Sequence, residues 1–178
     1  MSARNERGFT AAEILIAAVI VTVAFVALAR IVPLAGYAVQ EGNQLSTATF
    51  LADQRLEQIR GVPWTSVPAN DCLGVSVSST AAPTVPAGAT CTLGSTTVNA
   101  GGALTWEADE AATTISGFSG YSRSVRVTDC GGGSGCAGIT DSGMRLVTVT
   151  VTYTPVNAGT SVAAAPKSSQ VQMIVSQQ

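Results

Sequence analysis

The sequence predicts an α+β fold in which one long N-terminal α-helix packs against a C-terminal antiparallel β-sheet. Residues 9–29 are almost wholly apolar, with three polar side chains in 21 positions. Residues 61–178, by contrast, hold 32 Ser/Thr and 15 Gly in 118 positions, a turn-rich composition typical of β-structure. The chain therefore divides into a short charged leader (1–8), a membrane half of the helix (9–30), a second helical half (31–60) and a β-domain (61–178).

The apolar segment has the length of a membrane-spanning helix. About 20 such residues cross the roughly 30 Å hydrocarbon core of a bilayer. A secretory signal peptide is the alternative, but its apolar region is usually about 7–15 residues long. Here the pattern continues beyond Arg30 through Leu34 and Val39. Because Arg4 and Arg7 precede the segment, the positive-inside rule places the rest of the chain outside the cytoplasm.

The second half of the helix carries one apolar stripe for packing. Its residues recur at spacings of three and four, namely Leu45, Ala48, Ala52, Leu56 and Ile59. Gly61 and then Pro63 are typical of a helix end. We therefore predict one helix over 9–60, about 78 Å long. Pro33 lacks a backbone N–H and predicts a kink near residues 29–33.

Three strands are predicted in the C-terminal region because apolar and polar residues alternate there. They are 121–129, 145–154 and about 169–176, and we expect them to form a sheet that covers the apolar stripe of the helix. Residues 72–79 and 89–94 are weaker strand candidates. Two prolines mark 79–89 as a loop, and 155–167 is predicted to connect the last two strands.

The four cysteines all follow the membrane segment, in the part of the chain predicted to be extracytoplasmic. An even number of cysteines in an oxidising compartment favours two disulfides, with three connectivities open. We predict the nearest-neighbour pairing, Cys72 with Cys91 and Cys130 with Cys136. A four-cysteine zinc site is the alternative, although neither pair has the two-residue spacing of such sites.

Composition argues against most catalytic functions. The chain contains no histidine, which removes Ser-His-Asp and Cys-His nucleophilic sites and histidine-ligated metals. Its net charge is −2 and no Lys/Arg cluster is present, so no dedicated nucleic-acid site is evident. We predict no enzymatic activity, no cofactor and no metal.

Two further patterns have ordinary structural interpretations. The glycine-rich run between Cys130 and Cys136 lacks the Lys-Ser/Thr of a phosphate-binding loop and is predicted to be a disulfide-tied hairpin tip. Glu107, Asp109 and Glu110 lack the spaced ligands of a calcium loop and are predicted to be a solvated acidic loop.

Glu13 is unusual because an acidic side chain inside a membrane helix costs on the order of 2.5–3.5 kcal/mol at the bilayer centre. Such a group needs a partner. Cleavage between Gly8 and Phe9 would supply one, because the new α-amine of Phe9 would be a cation. In a continuous helix this amine lies roughly 6 Å along the axis from Glu13. The pair could form within one chain or between neighbouring chains staggered by one turn.

The run Arg7-Gly8-Phe9-Thr10-Ala11-Ala12-Glu13 resembles the processing site of type IV pilins and type II secretion pseudopilins. Precursors in this family have a short charged leader ending in glycine, an aromatic residue after it, a glutamate four residues later and an apolar helix. The resemblance implies that a prepilin peptidase cuts after Gly8 and methylates the amine of Phe9. It also implies that Glu13 directs assembly by charge pairing.

A second resemblance covers 48–64 and the later strand at 145–154, which are similar to PilV-like minor pilins. We therefore expect a minor pilus subunit, with a type II secretion pseudopilin, a major or unclassified pilin and a membrane-anchored adhesin as alternatives. The implied partners are the peptidase, other pilins or pseudopilins, the inner-membrane assembly platform and, before assembly, membrane lipid. The implied location is the inner membrane with a cytoplasmic N-terminus, then a filament in the periplasm or at the cell surface.

Overall fold

The computed structural model describes residues 9–93, 96–99, 107–132, 135–155 and 164–178. One long helix, α1 (Ala11–Arg60), is followed by the strands β1 (Val75–Ser76), β2 (Pro83–Thr84), β3 (Thr90–Leu93), β4 (Thr96–Asn99), β5 (Tyr121–Asp129), β6 (Met144–Tyr153) and β7 (Lys167–Ser176). Short 3-10 turns occupy Pro68–Asn70 and Cys130–Gly132. The predicted α+β architecture is confirmed.

Helix α1 begins two residues later than predicted. Thr10 has an extended backbone, and its side-chain oxygen accepts a hydrogen bond from the Glu13 amide at 3.3 Å. A threonine in this position caps a helix and so defines its first turn. Phe9 therefore lies outside the helix. At the other end Gly61 is the C-cap, as the sequence predicts.

Pro33 does not end the helix, because α1 is continuous from Ala11 to Arg60. The kink expected at this residue stays a prediction. The structure thus confirms the single long helix.

The main sheet has the strand order β5-β6-β7, and both pairs are antiparallel. Its register places Val125 opposite Val149, and Val149 opposite Val171. Along β6 the side chains alternate strictly between buried and half-buried, as the alternating sequence predicts. One face of this sheet packs against α1.

Two of the predicted loops overlap strands of the structure. The expected loop 79–89 contains β2, which pairs with β1, and the loop predicted over 155–167 ends when β7 begins at Lys167. A strand of two residues leaves almost no periodic signal, and Pro83 argues against one. β3 and β4 form a second antiparallel hairpin, of which the sequence predicted the first strand.

The core lies between the second half of α1 and the inner face of the sheet. Ala48, Ala52, Leu56 and Ile59 of the predicted stripe are buried, but Leu45 is 47% exposed. Leu51, outside the predicted stripe, is fully buried. The buried stripe therefore begins at Ala48, because the sheet fully covers the helix only from this turn onward. Trp64 is also buried, whereas Trp106 lies outside the described residues.

We expect Gly74→Ala to destabilise the domain by more than about 2 kcal/mol. Gly74 has φ +66°, and a Cβ added there would lie 2.4 Å from the carbonyl oxygen of Thr84. The substitution therefore combines left-handed strain, about 1–2 kcal/mol, with a backbone clash that would push β1 from β2. Urea unfolding of the full chain in detergent, followed by tryptophan fluorescence, measures the change.

Gly88→Ala is the matched control for this substitution. Gly88 has φ +85°, but nothing lies within 4 Å of an added Cβ. We expect it to cost only the left-handed strain. Equal losses for the two variants would contradict a close-packing role for Gly74.

Candidate functional site

The residues that the sequence singles out lie at the start of α1. Gly8 lies outside the described residues, and Phe9 is 79% exposed just before the helix. Glu13 occupies the first turn. Phe9 and Glu13 line the same shallow, largely apolar depression on the helix surface, together with Ala17 and Val21.

The start of the helix at Ala11 changes the geometry expected for the charge pair. The 6 Å estimate required Phe9 to be helical, with a rise of about 1.5 Å per residue. Thr10 is instead extended, and extended residues rise by about 3.3 Å. The separation along the axis between the Phe9 backbone nitrogen and Glu13 therefore exceeds the helical estimate in this conformation.

No described part of the chain covers the first half of α1. Every side chain from Phe9 to Val32 is exposed, including Ile20 at 63% and Phe25 at 67%. The helix is long and apolar enough to cross a membrane, and the most apolar stretch is wholly unburied. Exposed apolar surface of this extent is rare in a soluble monomer and marks a membrane or protein contact.

The acidic cluster is only partly solvated, because Glu107 is buried whereas the Asp109 side chain is 50% exposed. Residues 107–111, here called the strap, are joined to α1 and β5 by three ion pairs: Glu107 with Arg55, Asp109 with Arg126, and Glu110 with Arg123. The last pair is reinforced by backbone hydrogen bonds in both directions between Glu110 and Arg123, at 2.8 and 2.9 Å. The prediction of solvation was wrong for Glu107, whose partner Arg55 lies far from it in the sequence.

Glu107 is the most buried member of the strap, with 3% exposure. Burial raises the pKa of its carboxyl above the ordinary value of 4.5, against the opposing effect of Arg55. Because the folded-state pKa is the higher one, the contribution of this group to stability is greatest below pH 4.5. It declines as pH rises through the folded-state pKa.

A second buried ion pair joins the sheet to the segment after the helix. The Arg145 guanidinium donates to both carboxylate oxygens of Asp71, each at 2.7 Å, and to the carbonyl of Gly74 at 3.2 Å. It also lies over the Trp64 ring, 4.1 Å from the centroid. A cation in this position is held by hydrogen bonds and by the ring quadrupole together.

Arg123 and Arg145 were not among the predicted site residues, although the sequence carries a signal for them. Arg123 and Arg145 fall on the same alternation as the buried valines of β5 and β6, so their side chains point toward α1. Arg123 also donates to the carbonyl of Leu51, at 3.0 Å. An arginine at a strand position where the alternation calls for a buried apolar residue thus indicates a buried ion pair.

The cysteines form two disulfides, Cys72–Cys91 and Cys130–Cys136, which is the nearest-neighbour pairing expected from the sequence. The first ties the segment after α1 to β3, and the second closes the connection from β5 to β6. Within the described residues no group of three His, Cys, Asp or Glu side chains could hold a metal ion.

Comparisons of the chain with protein-family models, with curated proteins and with solved structures found no match.

Proposed function

We propose that the chain is a structural subunit of a type IV pilus, a minor pilin, inserted in the inner membrane and cut between Gly8 and Phe9. It then enters a filament through the first half of α1. The observation that carries this proposal is the series Gly8, Phe9 and Glu13 at the start of an apolar helix that nothing in the described chain covers.

The exposed apolar helix is suited to two successive environments, the bilayer before assembly and a filament of packed helices afterwards. Before assembly the bilayer solvates its side chains, and about 20 residues match the hydrocarbon thickness. Burial of apolar side chains stabilises a contact by roughly 25 cal/mol per Å² of area removed from water. Lipid provides that burial already. Transfer into a filament of packed helices therefore needs a further driving force, which in this proposal is a charge pair.

Glu13 and the new amine of Phe9 supply that pair. In a low-dielectric environment an unpaired carboxylate is costly, and an opposite charge nearby lowers the cost. Because Thr10 is extended and Phe9 lies before the helix, we favour pairing between neighbouring chains over pairing within one chain. Each added subunit then brings a carboxylate to the amine of its neighbour, which fixes the stagger between the two helices.

The proposed partners follow from these steps. A prepilin peptidase removes residues 1–8, and the inner-membrane assembly platform with other pilins receives the mature helix. The β-domain stays outside the cytoplasm, where its two disulfides suit an oxidising compartment. The mature chain would be found in filaments at the cell surface.

We expect Gly8→Val to block processing, because a branched side chain would occupy the position before the scissile bond. The variant should accumulate in the inner membrane with its eight-residue leader attached. Gel mobility of the native and variant chains, co-expressed with a prepilin peptidase, measures the cleavage.

Ala3→Val, which makes a similar change elsewhere in the leader, is the control and should be cleaved normally. Normal cleavage of Gly8→Val would contradict the proposed processing site.

A further inference from the structure

A cleft on the face of the main sheet opposite α1 has no role in the proposed assembly. It has a volume of about 290 Å³ and lies between the strap and the strands β5 and β6. Its polar lining comprises Asp109, Glu110, Ser122, Arg123, Ser124, Thr150 and Thr152. We call it the hydroxyl cleft.

The register of the sheet arranges the four hydroxyl side chains in two facing pairs. Ser122 lies opposite Thr152, and Ser124 lies opposite Thr150. The Ser122 hydroxyl donates to the carbonyl of Thr152 at 3.4 Å. The hydroxyls of Ser124, Thr150 and Thr152 make no hydrogen bond with any residue that the structure describes. Each can both donate and accept, so together they suit a ligand that carries both kinds of group.

The charges around the hydroxyl cleft are balanced. Asp109 receives two hydrogen bonds from Arg126, at 2.7 and 2.9 Å, and the Oε2 atom of Glu110 receives one from Arg123 at 2.5 Å. Two carboxylates thus face two guanidinium groups. A site without net charge has little attraction for a free anion or cation. It is suited to a neutral polar ligand.

We propose that the hydroxyl cleft binds one ring of a neutral sugar, as part of a glycan outside the cell. The volume lies just below the usual range of ligand pockets, about 300–1,000 Å³, which matches a single ring rather than an oligosaccharide. The free hydroxyls bond to the ring hydroxyls, and Oε1 of Glu110, which is unpaired among the described residues, accepts one more hydrogen bond. This site is independent of helix-driven assembly, so either proposal can fail alone.

The test uses the full chain in lauryldimethylamine oxide, a detergent without a sugar headgroup. Amide NMR shifts are followed during titration with three neutral probes: methyl β-glucoside, methyl β-galactoside and N-acetylglucosamine. We expect at least one of them to give saturable shifts in the millimolar range at Ser124, Thr150 and Thr152. Methyl β-glucuronide and glucosamine, which keep the ring and carry opposite charges, should bind more weakly than that probe.

The double variant Ser124→Ala/Thr150→Val should weaken the binding by about tenfold or more, because each change removes a hydrogen-bonding hydroxyl. Thr148→Val, on the same face of the same strand but outside the cleft, should bind as the native chain does. Unchanged amide shifts outside the cleft show that each variant is folded. Three results overturn the proposal: no saturable shift with any neutral probe, tighter binding of a charged probe, or unaltered binding by the double variant.

Discussion

Glu13→Ala should lower incorporation of the mature chain into filaments by at least about tenfold while leaving cleavage after Gly8 intact. The substitution removes the anion proposed to pair with the amine of a neighbouring Phe9. Loss of one partner of a charge pair in a low-dielectric site costs several kcal/mol, since the other charge is left uncompensated. Each factor of ten in incorporation corresponds to about 1.4 kcal/mol. The measurement is the ratio of processed chain in sheared filaments to processed chain in the membrane.

Glu57→Ala is the matched control for this prediction. Glu57 lies on the same helix, and its side chain is 71% exposed in a long ion pair with Arg60. We expect its loss to leave incorporation within about twofold of the native value, because exposed pairs contribute about 0–1 kcal/mol. If Glu13→Ala entered filaments as efficiently as the native chain, charge pairing would not be the driving force of assembly, whether or not the leader is cleaved.

Arg145→Ala should destabilise the β-domain by about 3–5 kcal/mol, the largest loss of folding stability that we expect from one substitution in this chain. Its side chain is 9% exposed, and that of Asp71 is 6% exposed. Truncation leaves a buried carboxylate without its two hydrogen bonds and removes the cation from the Trp64 ring. Urea unfolding of the full chain in detergent, followed by circular dichroism, gives the free-energy change.

Arg60→Ala provides the comparison, because Arg60 is 68% exposed and pairs weakly with Glu57 at 3.7 Å. We expect less than about 1 kcal/mol for this change. If the two arginine variants were equally stable, the Asp71–Arg145 pair would not be what joins β6 to the segment after α1.

The regular elements of the fold were predictable from local patterns. The β5 bounds match the prediction, and β6 and β7 differ from it by one or two residues, because each strand buries one face and so alternates clearly. The end of α1 was signalled by Gly61 and Pro63, whose conformations do not continue a helix. The start was misplaced, since Thr10 is as compatible with a membrane helix as with a cap.

The ion pairs were not predictable as pairs. Arg145 and Asp71 are 74 positions apart, and no local spacing indicates that they meet. Arg55 and Glu107 join the helix to the strap across a shorter interval that is still far beyond any local spacing. The alternation of buried and half-buried residues along β5 and β6 places Arg123 and Arg145 on the buried face of the sheet. The partner of each arginine depends on how the strap and the segment after α1 cross the sheet.

The hydroxyl cleft, like the ion pairs, is formed by residues that are distant in the sequence. Alternation predicts that Thr150 and Thr152 share the polar face of β6, while the neighbouring serines depend on the β5–β6 register. The position of the strap beside them depends on Arg123 and Arg126. A site built from two strands and a loop therefore emerges only with the tertiary structure.

The N-terminal mass of the chain in purified filaments tests the central proposal most directly. Filaments sheared from native cells would be digested, and the N-terminal peptide identified by mass spectrometry. We predict a peptide that begins at Phe9 and carries one methyl group on its α-amine. A chain that still begins with residues 1–8, or that is absent from filaments while present in the membrane, would contradict the proposal.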